Sequence, residues 1–158
     1  MLVILAGMFV VHIAVCIMLL VATISNVWLK DGSGVNSLGI WMFCEANKCI
    51  NVLDYIDFAQ WPSMRAVESF MILAIIFCFF SLFSFIGQLF TLGKGCRFYI
   101  TGAFMWICWI CILCGISIFT SRFGYAARWY HAYCFILTWI CFCLAFFLAL
   151  LFMILRKK

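Results

Sequence analysis

Residues 69–93 read SFMILAIIFCFFSLFSFIGQLFTLG, a run of 25 positions without one charged side chain. At 1.5 Å of rise per residue, a helix of that length exceeds the ~30 Å hydrocarbon core of a bilayer. Three other stretches share the property. Residues 1–29 hold His12 as their one ionisable group, and 98–121 and 129–155 contain no Asp, Glu, Lys or Arg. A backbone exposed to lipid must satisfy its hydrogen bonds internally, which leaves helices or closed barrels. The runs lack the alternating polar face that a barrel lumen requires, so helices follow.

The expected fold is an all-α membrane bundle of four transmembrane helices. The spans fall at about 1–24, 66–90, 98–120 and 132–155, within a single tetraspan domain covering 1–158. Composition supports the reading, since 70% of the 158 residues are hydrophobic and 9% are charged. A soluble domain carries roughly 25% charged residues, and a chain this short leaves much of its surface in contact with solvent. That solvent must be hydrocarbon. The first span is expected to be an uncleaved signal anchor. Its apolar stretch from Leu2 to Ala22 outruns the ~7–15 residues of a signal-peptide core, and no Lys or Arg precedes it.

Three loops of unequal size join the spans. The first, residues 25–65, is long and polar. The second, Gly93-Lys94-Gly95-Cys96-Arg97, is a tight basic turn. The third, Ser121 to His131, is short. An even number of spans puts both termini and the basic turn on one face. Lys94, Arg97, Arg156, Lys157 and Lys158 gather there as a basic membrane anchor, without an acid among them. The two faces tie in Lys/Arg count, but packing of the basic residues beside the spans favours cytoplasmic termini. Near anionic lipid each such residue contributes about 1 kcal/mol. Trp28, Trp61, Trp129 and Tyr130 fall at span ends, as interfacial aromatics do, while Trp106, Trp109 and Trp139 are expected to pack within the spans.

Eleven cysteines divide into two groups. Only Cys44 and Cys49 lie in the polar first loop, too sparse for a zinc site. In an exoplasmic loop they should oxidise to a disulfide closing a small ring. Cys108, Cys111 and Cys114 run along one helical flank with no group nearby to favour a thiolate, so they read as small hydrophobes. Cys96, in the basic turn, is a candidate for lipidation by S-palmitoylation.

Catalytic machinery is not visible. The five carboxylates lie in or beside the first loop, and His12 and His131 are the only histidines. No nucleophile is paired with a base, and no catalytic residue, cofactor or metal site is expected. A thiol oxidoreductase exchanging Cys44/Cys49 with Cys111/Cys114 is a remote alternative. An autonomous pore lacks the intramembrane polar groups it would need beyond His12, Gln88 and scattered Ser and Thr.

The first loop carries Trp28, then Gly39-Ile40-Trp41, then Cys44 and Cys49. That order resembles the W…G-L-W-x-x-C…C signature of the claudin, peripheral myelin protein and epithelial membrane protein superfamily, with Ile40 in place of the usual Leu. Met1-Leu2-Val3, Ser69-Phe70-Met71-Ile72-Leu73, Gln88-Leu89-Phe90-Thr91 and the ending Ile154-Leu155-Arg156-Lys157-Lys158 look like the epithelial membrane protein branch, so the likeness covers nearly the whole chain. Two departures stand out. Asn26, Asn36, Asn47 and Asn51 all fail the N-x-Ser/Thr acceptor pattern. The superfamily's Arg at the start of span 2 has no clear counterpart, Arg65 and Glu68 both lying near its place.

The resemblance implies a left-handed bundle with a small antiparallel β-sheet in the first extracellular loop. The apolar segments Leu38–Phe43 and Cys49–Leu53, around the polar turn Glu45-Ala46-Asn47-Lys48, suit such strands. It also implies a non-enzymatic, multi-pass plasma-membrane protein that organises membranes and acts in cell–cell contact and growth control. Its expected partners are the lipid bilayer, other integral membrane proteins such as channels or adhesion receptors, and a second copy of itself, with no nucleic acid. Service as an auxiliary subunit of an ion channel is the alternative.

Overall fold

The structure is a computed structural model that describes residues 2–25, 27–90, 96–123 and 129–156, with backbone alone at 2, 96–98, 123, 129–131 and 155–156. Four long helices dominate it: α1 (Leu2–Ile24), α3 (Trp61–Phe90), α4 (Cys96–Phe123) and α5 (Tyr133–Arg156). Only 28–44% of the most apolar window of each is buried inside the protein, which leaves the larger share of each for hydrocarbon. Lys94, Lys157, Lys158 and the side chains of Cys96, Arg97, Arg156, Trp129 and Tyr130 lie outside the described residues.

The helices form a ring in the order α1, α3, α4, α5, and α5 closes back on α1. Fully buried Val15, Leu19, Met71, Ile112, Phe119 and Phe152 fill the middle. Small residues bring neighbours close, because association within lipid relies on packing and polar contacts rather than on expulsion of water. A Cβ at Gly115 would stand 3.5 Å from Met71 Sδ, and one at Gly102 would stand 3.4 Å from Met153 Sδ. Between α3 and α4, Ser81 Oγ donates to the Thr101 carbonyl and Thr101 Oγ1 donates to Ser84 Oγ, each at 3.0 Å. Trp106 and Trp109 of α4 meet Phe146, and Trp109 meets Phe142, across to α5 at ring separations of 5.2–5.6 Å. Trp139 instead meets Phe142 along its own helix and stays 38% exposed.

One end of the ring carries a sheet. Its strands are β1 (Leu29–Asp31), β2 (Ser37–Leu38), β3 (Met42–Glu45) and β4 (Lys48–Asn51) from the α1–α3 connection, joined by β5 (Trp129–His131) from the α4–α5 connection. All pair antiparallel in the order β4-β3-β2-β1-β5. Leu29 stands opposite His131 and Asp31 opposite Trp129, so the two connections share one hydrogen-bonded ladder.

Several boundaries differ from the sequence expectation. Leu38–Phe43 is not one strand, because the chain turns at Gly39, whose N–H donates to the Met42 carbonyl at 3.0 Å. Cys49–Leu53 stops as a strand at Asn51. The Asn51 side chain accepts from the Leu53 N–H and caps the short helix α2 (Val52–Tyr55), as asparagine does at helix N-termini. After a 3₁₀ turn at Phe58–Gln60, α3 begins at Trp61, five residues before the expected 66, with Pro62 in its first turn where a missing N–H costs nothing. Helix α4 continues to Phe123 rather than 120.

Candidate functional site

The C-terminal end of α1 poses a local problem, since the last four carbonyls of any helix have no partner within it. Three groups answer it. The Ser25 N–H donates to the Val21 carbonyl at 2.9 Å. The Trp28 indole N–H donates to the Ala22 carbonyl at 2.8 Å, and the Trp41 indole N–H donates to the Thr23 carbonyl at 2.8 Å. Two tryptophans 13 positions apart thus converge on consecutive carbonyls of one helix end. Trp28 is fully buried, with its ring 4.8 Å from that of Phe119 on α4 and 6.3 Å from that of Phe135 on α5. Ile40, next to Trp41 in the chain, is fully buried in the hydrophobic core. Trp61 does for α2 what the other two do for α1, donating to the Leu53 carbonyl at 2.7 Å.

Beyond these anchors lies the β3–β4 hairpin. Cys44 and Cys49 are direct cross-strand partners joined by a disulfide, and Glu45 faces Lys48 beside the turn. Phe43 and Tyr55 stack at 3.8 Å, and together with Ile50, Glu45 and Lys48 they line a shallow cleft. In the β1–β2 turn, the Asp31 carboxylate accepts from the Ser33 backbone N–H, from Ser33 Oγ at 2.6 Å and from Asn36 Nδ2 at 2.9 Å. Gly34 completes that turn with a φ of 77°, the left-handed region that other residues rarely adopt. The Ser33 hydroxyl and N–H hold Asp31 below the usual carboxylate range. At the head of α3, Arg65 Nη1 donates to Glu68 Oε2 at 3.3 Å, the carboxylate being almost buried and the guanidinium mostly exposed.

A second cluster lies within the ring itself. His12 and Cys16 are one turn apart on α1, and Cys78 reaches them from α3. One His12 ring nitrogen and both sulfurs lie within 4.8 Å of one another, all three residues being buried. His12 Nε2 is 3.3 Å from the Cys78 carbonyl, and the two Sγ atoms are 2.7 Å apart. Cys108 of α4 and Cys141 of α5 both lie near enough to interact with Cys78, and Cys141 interacts with Cys16 as well. Each of the four helices therefore contributes a cysteine. The sequence offers His12 as a lone intramembrane histidine suited to a ligand or, more simply, to a hydrogen bond with a neighbouring helix, which it makes to α3. It gives a packing role to Cys108, Cys111 and Cys114 without joining Cys16 or Cys78 to His12. The one available signal was the i, i+4 spacing of His12 and Cys16, which places them on one helical face.

Residues 1–152 match the profile of the PMP-22/EMP/MP20/Claudin family. The chain belongs to that family. Epithelial membrane protein 1 of Homo sapiens is 48% identical over 160 residues, and that of Mus musculus is 47% identical over 163, each covering 100% of both chains. Epithelial membrane protein 2 of Danio rerio is 32% identical over 166 residues, covering 100% of this chain and 99% of its own. In this PMP-22/EMP/MP20/Claudin chain the residues that carried the resemblance have concrete places. Trp28 and Trp41 cap α1, Gly39 turns the chain, Ile40 plugs the core, and Cys44 and Cys49 bridge the hairpin. The cysteines of the remote redox alternative stay apart. Cys111 lies 12 residues before the Phe123 end of α4, about 18 Å of helix, whereas Cys44 and Cys49 sit in the sheet that caps the bundle.

Proposed function

We propose that this PMP-22/EMP/MP20/Claudin family member is a non-enzymatic plasma-membrane adaptor. It would act in membrane organisation, cell–cell contact and growth control by binding other membrane proteins through its sheet-bearing end. In this reading that end is extracellular, both termini are cytoplasmic, and the chain works as one tetraspan unit. The supporting observation is the cleft beside the disulfide. Phe43, Ile50 and Tyr55 give it an apolar floor, while Glu45 and Lys48 bring opposite charges to its rim. An apolar centre with a polar edge is the anatomy of protein recognition surfaces. Tyr55 keeps 45% of its surface exposed although it stacks on Phe43. Outside the hydrocarbon, such a side chain gains by being covered.

Surface crosslinking on intact cells, followed by mass spectrometry of captured membrane proteins, tests the proposal. Tyr55→Asp should reduce capture several-fold while surface delivery stays unchanged. An unchanged partner set would remove the cleft from the interface. Ion flux or substrate turnover by the purified protein in liposomes would overturn the adaptor reading.

A further inference from the structure

We propose that His12, Cys16 and Cys78 form a binding site, buried in the membrane, for a thiophilic closed-shell metal ion, Zn²⁺ or Cu⁺. The donors converge from two helices within 4.8 Å and are shielded from water on every side. A carbonyl oxygen only accepts, so the contact to the Cys78 carbonyl places the His12 proton on Nε2. The lone pair is then on Nδ1, which is buried and has no hydrogen-bond partner. A buried acceptor left without a donor forfeits its hydration with nothing in return, so it has reason to be used. Ligand histidines characteristically give one N–H to a backbone carbonyl and their other nitrogen to the metal.

The donor set selects the ion. Two sulfurs and an imidazole, with no carboxylate or carbonyl among the three donors, suit thiophilic ions and exclude Mg²⁺ and Ca²⁺, which demand oxygen. Charge works in the same direction. When Zn²⁺ enters, the thiols of Cys16 and Cys78 each release a proton to solvent. The resulting bis-thiolate imidazole complex is neutral, as a site surrounded by hydrocarbon requires. Cu⁺ reaches the same neutrality by displacing one proton and keeping the second sulfur as a thiol. Cys108 on α4, which interacts with Cys78 but lies outside the three-donor group, is the neighbouring thiol from which a fourth zinc ligand would be recruited. Tetrahedral bonds of ~2.3 Å put two sulfurs about 3.8 Å apart. The pair now at 2.7 Å must therefore part by about 1 Å, the scale of a side-chain torsion.

The test uses the full chain, purified metal-free into lipid nanodiscs, incubated with ZnCl₂ or with Cu⁺ kept reduced, then washed and analysed for metal. About one ion per chain is expected for at least one of the two metals, and the arm that loads identifies it. Cys16→Ser/Cys78→Ser should hold at least tenfold less, and Cys143→Ser should load like the wild type. Should the double variant fail to assemble, cobalt-loaded wild-type protein decides. Sulfur-to-metal absorption bands support the site, and their absence overturns it. Failure of both ions to load, loading unchanged in the double variant, or a Cys16–Cys78 disulfide in protein isolated without reductant would each overturn the proposal.

Discussion

Replacing Trp28 by Phe separates the two tasks assigned to that side chain. The ring is fully buried between Phe119 and Phe135, and its N–H serves the Ala22 carbonyl at 2.8 Å. Phe keeps an aromatic ring in place but deletes the donor, leaving a buried carbonyl unpaired at a cost of about 1–3 kcal/mol. It also removes about 40 Å³ of side chain, which at ~24 cal/mol per Å³ of residual cavity adds about 1 kcal/mol. The sum is a destabilisation of about 2–4 kcal/mol, large beside the few kcal/mol that hold an ordinary domain together. The buried thiols of Cys16, Cys78, Cys108 and Cys141 supply the readout, since they meet a maleimide only when the bundle opens. Labelling rate against temperature in mild detergent should show Trp28→Phe opening well below the wild type. Trp139→Phe is the matched control, because that ring is 38% exposed along α5. If both variants open together, within about 0.5 kcal/mol, indole capping of α1 contributes nothing measurable and the account of the first loop fails.

Two further perturbations bear on the sheet. Changing Cys44 and Cys49 to Ser opens a ring of sequence separation 5, whose closure entropy is worth at most about 2 kcal/mol. Limited proteolysis should therefore cut the Met42–Asn51 hairpin faster while the four helices stay protected. Rapid cleavage within the helices would show the bridge supporting far more than its hairpin. Asp31 is held below the ordinary carboxylate range by Ser33. Its contribution to the β1–β2 turn is thus complete above the unfolded value, near pH 4, and is lost as pH falls through the lower folded value. Hydrogen exchange at residues 33–36 should accelerate in that acid window for the wild type. Asp31→Asn should abolish the dependence, and a persisting acid transition would assign it to another group.

Legibility from sequence followed the strength of the physical demand. Hydrocarbon tolerates no charge, so four uncharged runs located α1, α3, α4 and α5 to within a few residues of their ends. The ends moved where a local device intervened. Asn51 converted an apolar strand candidate into the start of α2, and Gly39 broke another. Strand β5 was invisible, because Trp129-Tyr130-His131 offers three residues without alternation and owes its conformation to the edge of β1. In the first loop Cys44 and Cys49 were legible as the only polar-loop cysteines. The roles of Trp28 and Trp41 were not, because a partner carbonyl on another element leaves no trace in local pattern. The meeting of His12 with Cys16 and Cys78 was hidden for a similar reason. Cys78 is 62 positions from Cys16, and a thiol inside an apolar helix looks like any small packing residue until its neighbours are known.

The position of β1 between β2 and β5 has a consequence for how the chain matures. The Trp28 carbonyl accepts from the Ala132 N–H at 2.9 Å, and the Val27 carbonyl accepts from the Cys134 N–H at 3.4 Å. Residues near the beginning of the protein therefore wait for residues near its finish before their backbone is satisfied. A nascent chain halted ahead of residue 129 would present a helix whose lid has no latch, however well the early segments had entered the bilayer. Until that ladder closes, the outer edge of β1 and the carbonyls of Val27 and Trp28 lack the partners that the α4–α5 connection and the first turn of α5 supply.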